Sequence, residues 1–150
     1  MVSCLEKYAE LLKQHNIKVT HQRLAILKYL EEHLTHPTAE EIYSELKAQN
    51  PSLSKTTVYN SLETLKENGI IQSLTICGSE YRYDYRHDMH HHFLCKKCDK
   101  IVDIDIKCPN IKKISNYGYR IIEVHGYFKG ICKECLKKEN CETNELKSIT

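Results

Sequence analysis

Apolar residues recur every third or fourth position through the first half of the chain. Leu5, Tyr8, Leu11 and Leu12 fit one face of a first helix ending near His15-Asn16. Thr20 is placed to cap a second helix with Leu24, Leu27 and Leu30 on its inner face. Thr38-Ala39-Glu40-Glu41 has the capping-box order, in which the Thr oxygen accepts from the third amide while the Glu reaches back. Ile42 and Leu46 line the helix that follows. Pro51-Ser52-Leu53-Ser54 is a breaker and a cap. A helix over Thr56 to Asn68 comes next, with Val58, Leu62 and Leu65 inward and Gly69 closing it as the C′ residue.

The period then shortens. Ile70 to Ile76 is β-prone, Cys77-Gly78-Ser79-Glu80 is a turn, and Tyr81-Arg82-Tyr83-Asp84-Tyr85 alternates. Short helices followed by a hairpin make the winged helix-turn-helix pattern, with residues 55–68 as its recognition helix. Periodicity alone leaves that reading and a plain helical bundle with a hairpin equally open. Further strands are predicted at His90 to Leu94, Ile101 to Ile106, Tyr119 to Val124 and Tyr127 to Ile131. Short helices are predicted around Pro109 to Asn116 and after Cys135. The fold class is therefore α+β, with residues 1–85 as one domain, 86–89 as a hinge and 90–150 as a second domain.

Composition changes this picture at one point. With 41% hydrophobic and 28% charged residues and only 5 Gly and 3 Pro, the 150-residue chain is neither disordered nor collagenous. No apolar run approaches the roughly 18 residues of a membrane span, and Met1 to Lys7 has no export-signal pattern, so a cytoplasmic protein without membrane contact is expected. A net charge of +2 does not announce nucleic-acid binding. The unusual counts are 8 Cys and 9 His.

Cys95-Lys96-Lys97-Cys98 and Cys132-Lys133-Glu134-Cys135 are two C-x-x-C pairs with 33 residues between them. Two such turns supply the four tetrahedral thiolates that Zn²⁺ prefers, with Lys96, Lys97 and Lys133 offsetting part of the anionic charge. Four sulfurs leave no open position, so the site is structural. The rival, a redox-active C-x-x-C, needs a βαβ context that is absent. Cys4, Cys77, Cys108 and Cys141 lack paired spacing and read as ordinary thiols.

On a strand, His90 and His92 project to one face and His91 to the other, so two imidazoles at i and i+2 can grip one cation. Asp103, between Val102 and Ile104 on the next predicted strand, can reach that face. Asp84 ends the preceding hairpin, and His36 sits in the loop before the third helix. A histidine run by itself fits a solvated patch at least as well as a metal site.

Taken together, these residues resemble the ferric uptake regulator family. The resemblance rests on His36-Pro37-Thr38-Ala39-Glu40-Glu41-Ile42-Tyr43, on Ser54 and Thr57-Val58-Tyr59-Asn60-Ser61-Leu62, and on Tyr81-Arg82-Tyr83-Asp84. It continues through His90-x-His92-x-x-Cys95-x-x-Cys98-x-x-Ile101-Val102-Asp103 and Gly130-Ile131-Cys132-Lys133-Glu134-Cys135, covering roughly residues 5–138.

The resemblance implies a cytoplasmic, homodimeric, metal-dependent repressor, not an enzyme. Its N-terminal winged-helix domain would bind double-stranded DNA at a pseudo-palindromic operator, and its C-terminal α/β domain would carry dimerisation and structural zinc. It also implies a regulatory Fe²⁺ or Mn²⁺ site at His36, Asp84, His90, His92 and Asp103. Asp rather than Glu at position 103 is similar to the peroxide-sensing branch, in which His36 and His90 are the ligands at risk of oxidation. The alternative is a regulator answering to iron, manganese or zinc availability. A metal-dependent enzyme and a thiol oxidoreductase are weaker rivals, because no extra general base or phosphate-binding loop is visible. DNA contacts are expected from Lys55, Thr56, Thr57, Tyr59 and Asn60, with His21, Gln22 and Arg23 in support. Only 28 residues separate Asp103 from Cys132, which looks short for the family and predicts a trimmed helix there. Met89 and His91 stand where some members carry a further metal site, so none is assigned; His15, His21, His33 and His87 read as surface residues.

Overall fold

Three helices of the first half start where a side chain satisfies a leading amide. In the computed structural model, which describes residues 4–85, 88–122 and 124–147, α1 spans Cys4–Gln14 and α2 spans His21–Glu32. α3 spans Ala39–Gln49 and α4 spans Lys55–Glu67. Thr20, Thr38 and Ser54 each accept from an amide of the first turn, and Thr38 and Glu41 complete the capping box. Such caps contribute about 1 kcal/mol each. α4 ends in a Schellman turn: Ile70 N–H reaches Leu65 O and Gly69 N–H reaches Lys66 O, both at 2.9 Å, with Gly69 at φ +68.

The helices bury one core. Tyr8, Leu12, Ile26, Leu27, Ile42, Val58, Leu62 and Leu65 are fully buried in it. At about 1.5–3 kcal/mol for each large apolar side chain removed from water, this cluster is the main stabilising term of residues 4–85. In α2 the buried residues are Ile26, Leu27 and Leu30; Leu24, expected on that face, lies at the edge of the core. β1 (Gln72–Leu74) and β2 (Arg82–Asp84) form the antiparallel hairpin, pairing Gln72 with Asp84 and Leu74 with Arg82. Both strands are shorter than the β-prone runs predicted, because the hairpin pairs only three positions. Tyr85 leaves β2 edge-on to Tyr8, ring centroids 6.4 Å apart.

The chain divides into two compact units, Met1–His87 and Asp88–Thr150. Of the expected hinge, Arg86 and His87 lie outside the described residues. The second unit is a three-stranded sheet in the order β4-β3-β5, where β3 is His91–Cys95, β4 is Ile101–Ile104 and β5 is Tyr127–Gly130. β4 runs antiparallel to β3, and β5 runs parallel to it after a long connection.

Within that connection and beyond it, two expectations fail and a third is met in shortened form. Tyr119 to Val124 is not a strand: among its described residues no regular structure forms, and Ile122 is 87% exposed. β5 already occupies the free edge of β3, so those β-prone residues have no partner. Pro109 to Asn116 forms only a 3-10 helix, Ile111–Tyr117, with no buried residue, closed by Gly118 at φ +80. That is the trimmed helix the short spacing predicts. α5 spans Lys133–Lys147, beginning before Cys135 and not after it, because the Cys132 carbonyl takes its first helical bond from Leu136 N–H at 3.0 Å.

Candidate metal centres and nucleic-acid interface

The cysteine pairs sit at the ends of strand connections. Cys95 closes β3, and Asp99 N–H turns back to its carbonyl at 2.9 Å. Asp99 has φ +57, a left-handed turn that Asp tolerates better than most residues. Sγ of Cys95 lies 3.9 Å from that of Cys135, and Sγ of Cys98 lies 3.9 Å from that of Cys132. All four sulfurs fall within 4.8 Å of one another. A tetrahedron of zinc–sulfur bonds near 2.3 Å has edges of about 3.8 Å, so the residues present fit the ion.

Their protonation points the same way. The backbone N–H of Cys132 donates to Cys95 Sγ at 3.3 Å and draws that thiol down to about 6. Cys135, hydrogen-bonded to Cys132 and buried, is pushed up to about 12. Cys95 and Cys135 are pushed in opposite directions, and a dication bound between them supplies the charge that removes a remaining proton. The four-cysteine cluster fits a structural zinc site. Of the lysines expected to offset its charge, Lys97 is paired with Glu139 at 2.9 Å. Cys77 is half-buried and Cys108 exposed, while the side chains of Cys4 and Cys141 fall outside the described ones.

In the first unit, His36 Nε2 lies 3.9 Å from Asp84 Oδ2, both residues buried. His36 has φ +54 and precedes Pro37. In the second unit, His92 on β3 is paired in register with Asp103 on β4. His90 Nε2 and His92 Nε2 each lie 3.5 Å from Asp103 Oδ1, and their rings are 4.6 Å apart. Bonds of about 2.1 Å put neighbouring ligand atoms about 3 Å apart and opposite ones about 4.2 Å apart, a range that brackets these separations. Nδ1 of His90 stands 2.7 Å from the Asp88 carbonyl, a contact that takes the ring proton and leaves Nε2 as the bare ligand atom. His91 turns to the opposite face, toward Phe128, and Met89 is exposed.

On α4, Lys55, Thr56, Tyr59 and Asn60 are exposed, as a DNA-reading face requires. Two of the expected contacts are already engaged. Lys55 Nζ pairs with Glu40 at 2.7 Å, and the Thr57 hydroxyl lies 2.8 Å from Ser54 Oγ within the helix cap. Arg23 is likewise held by the Lys18 carbonyl at 2.7 Å. His15, His21 and His33 are exposed, and His87 lies outside the described residues.

The Ferric uptake regulator family model matches residues 14–128. This chain belongs to that family. It is 36% identical over 141 residues to the peroxide operon regulator of Bacillus subtilis, covering 91% of this chain and 96% of that protein. It is 38% identical over 139 residues to the peroxide-responsive repressor PerR of Staphylococcus aureus, covering 89% and 93% of the two chains. Among solved structures it is similar to the Helicobacter pylori ferric uptake regulator Fur, a protein with three functional metal binding sites. The TM-score there is 0.70 at 26% identity, over 89% of this chain and 92% of that one.

A member of the ferric uptake regulator family is a DNA-binding regulator and not an enzyme, which removes the metal-dependent enzyme and thiol oxidoreductase rivals. Among the described residues no helix is long and apolar enough to cross a membrane. Sequence reading missed three residues that shape these sites: Arg82, Glu41 and Gly126. Glu41 stands in the capping box and Arg82 in the Tyr81-Arg82-Tyr83-Asp84 motif, but neither pattern encodes the contact between them, which joins distant parts of the chain.

Proposed function

We propose that this chain is a cytoplasmic, homodimeric repressor that binds a pseudo-palindromic operator in its metal-loaded form and releases it when peroxide oxidises a histidine ligand. Its regulatory Fe²⁺ or Mn²⁺ takes ligands from both units: His36 and Asp84 from the first, His90, His92 and Asp103 from the second. The observation that carries this reading is the Asp103 carboxylate oxygen lying 3.5 Å from both His90 and His92. Its support in sequence is the likeness to two proteins named as peroxide regulators.

The donor set suits the ion. Three neutral imidazoles and two carboxylates balance a dication, and nitrogen and oxygen donors favour iron or manganese over softer metals. Ligands drawn from two units tie metal binding to one arrangement of the dimer, and that arrangement is favoured only as far as it binds the ion more tightly. Two recognition helices then meet successive major grooves about one helical turn apart.

Held by His36, Asp84, His90, His92 and Asp103, Fe²⁺ would supply the electron needed to split the peroxide O–O bond. In the net reaction, an imidazole C–H of His36 or His90 and one hydrogen peroxide become an oxygenated imidazole and one water. The altered ring is a poorer donor, so the ligand set loses its hold.

The test is intact mass and peptide mapping of the Fe²⁺ and Mn²⁺ forms, with and without peroxide, alongside DNA binding. One oxygen gained at His36 or His90 in the Fe²⁺ form alone, with loss of DNA binding, is expected. No oxygen gained, with DNA binding intact, assigns the protein to metal availability instead.

A further inference from the structure

Side chains alternate along β2. Tyr83 enters the core of the first unit, while Arg82 and Asp84 share the other face of the strand. Arg82 Nη1 donates to the His36 carbonyl at 3.4 Å and to Glu41 Oε2 at 3.3 Å. The same Glu41 oxygen accepts from Thr38 N–H at 2.7 Å, the closing bond of the α3 cap. The backbones are joined as well: Tyr83 N–H donates to Pro37 O at 3.0 Å, and Thr38 bridges Arg82. The loop so held contains His36, whose left-handed backbone at φ +54 is unfavourable for any residue with a Cβ.

From this arrangement we infer that Arg82 and Glu41 are a positioning pair for the His36–Asp84 half of the regulatory metal site. The inference rests on the five-ligand reading above. Arg82 fastens the strained His36 backbone to the strand that carries Asp84. Glu41 neutralises the guanidinium and keeps it turned toward α3. Freed from Glu41, a cation on the same strand face as Asp84 pairs with that carboxylate and competes with the metal. The loss of Glu41 therefore harms metal binding only while Arg82 is present.

Mn²⁺ titration of the full-length, zinc-loaded protein, followed by the resonance of the free ion, tests this. The proteins are wild type, Arg82→Gln, Arg82→Lys, Glu41→Gln, the Arg82→Gln/Glu41→Gln double variant, Asp84→Asn and His92→Ala. Thermal unfolding of each is recorded without manganese. Groups that orient metal ligands typically change affinity by about 10–100-fold, so Arg82→Gln and Glu41→Gln are each expected to weaken Mn²⁺ binding about tenfold. The double variant is expected to bind no more weakly than Arg82→Gln alone. Arg82→Lys, which keeps the charge but loses the planar guanidinium whose Nη1 meets both acceptors, falls between wild type and Arg82→Gln. Glu41→Gln retains an amide oxygen for the Thr38 cap, so it carries the test if Arg82→Gln does not fold. Losses that multiply in the double variant, or affinities within about twofold of wild type while Asp84→Asn abolishes binding, overturn the inference and leave the site standing. Unchanged binding in Asp84→Asn and His92→Ala overturns the five-ligand reading itself.

Discussion

Lys55 opens α4, the helix expected to enter the major groove, yet in the free protein it is committed to Glu40 at 2.7 Å. Hydrogen bonding to the Glu40 carboxylate holds the ammonium above its usual range, so the charge is present and already answered. Docking on DNA exchanges that carboxylate for a phosphate and leaves Glu40 facing the backbone. Two substitutions separate the terms. Lys55→Ala removes one phosphate contact per half-site. At about 0.9 released counterions per contact, the slope of log K against log salt becomes shallower by about 1.8 for a dimer. Between roughly 50 and 200 mM salt the wild type then loses about 12-fold more affinity than the variant. Glu40→Gln frees Lys55 and removes a like charge from the DNA face, so affinity rises and the slope steepens. The assay is fluorescence anisotropy of a duplex selected from a random pool by the Mn²⁺-loaded protein, at four salt concentrations. An unchanged slope in Lys55→Ala removes Lys55 from the interface. Weaker binding by Glu40→Gln shows that the ion pair organises the reading face instead of restraining it.

Three further outcomes follow from the same coordinates. Chelation of the zinc is expected to unfold the second unit and spare the first: among its described residues only Leu94, Ile101 and three of the zinc cysteines are buried apolar groups. Hydrogen exchange reads this directly, and persistent protection of the β3–β5 amides after zinc removal refutes it. Gly126→Ala places a Cβ 2.3 Å from His91 Nδ1, beside the carbonyl that accepts from His92 N–H at 3.0 Å. Such overpacking costs about 1–3 kcal/mol, so Mn²⁺ affinity and the unfolding temperature of the second unit both fall; unchanged values of both rule out the clash. Glu31 is held below its usual range by hydrogen bonds from Lys7 and then Tyr8, so its contribution is present above the ordinary carboxylate pKa and fades as pH falls toward the lowered one. Glu31→Gln is therefore expected to cost stability at neutral pH, by no more than about 1 kcal/mol for so exposed a pair, and progressively less as pH falls below the ordinary carboxylate range, as read by paired urea titrations.

What the chain discloses about itself follows the sequence range of each interaction. Thr20, Thr38, Ser54 and Gly69 act on amides within a few residues, so their roles are written in local spelling and the structure keeps every one. The C-x-x-C pairs are local too, and their spacing is enough to place two sulfurs on one ion each. The hairpin and β3 were readable for the same reason, since alternation fixes which face each side chain takes. Tyr119 to Val124 shows the limit. Its residues are as β-prone as those of β5, but a strand needs an edge to join, and whether one is vacant depends on a parallel pairing across the long connection from Cys95 to Tyr127.

Sequence range likewise separates the proposed metal ligands, partly legible, from the residues beside them, which were not. His92 and Asp103 sit on adjacent strands, and His90 immediately precedes the first of them in the same alternation, so residue-level reading reached them. His36 entered only through likeness to a family. Its carbonyl is fixed by Arg82, whose other partner is Glu41, 41 residues away. No periodicity encodes that contact. Substitution at Arg82 or Glu41 therefore looks harmless in sequence, since one is a strand residue beside a turn and the other a cap already explained. The geometry gives each a second partner, so on the reading proposed above the sensitivity of metal binding lies in charges that touch no ion.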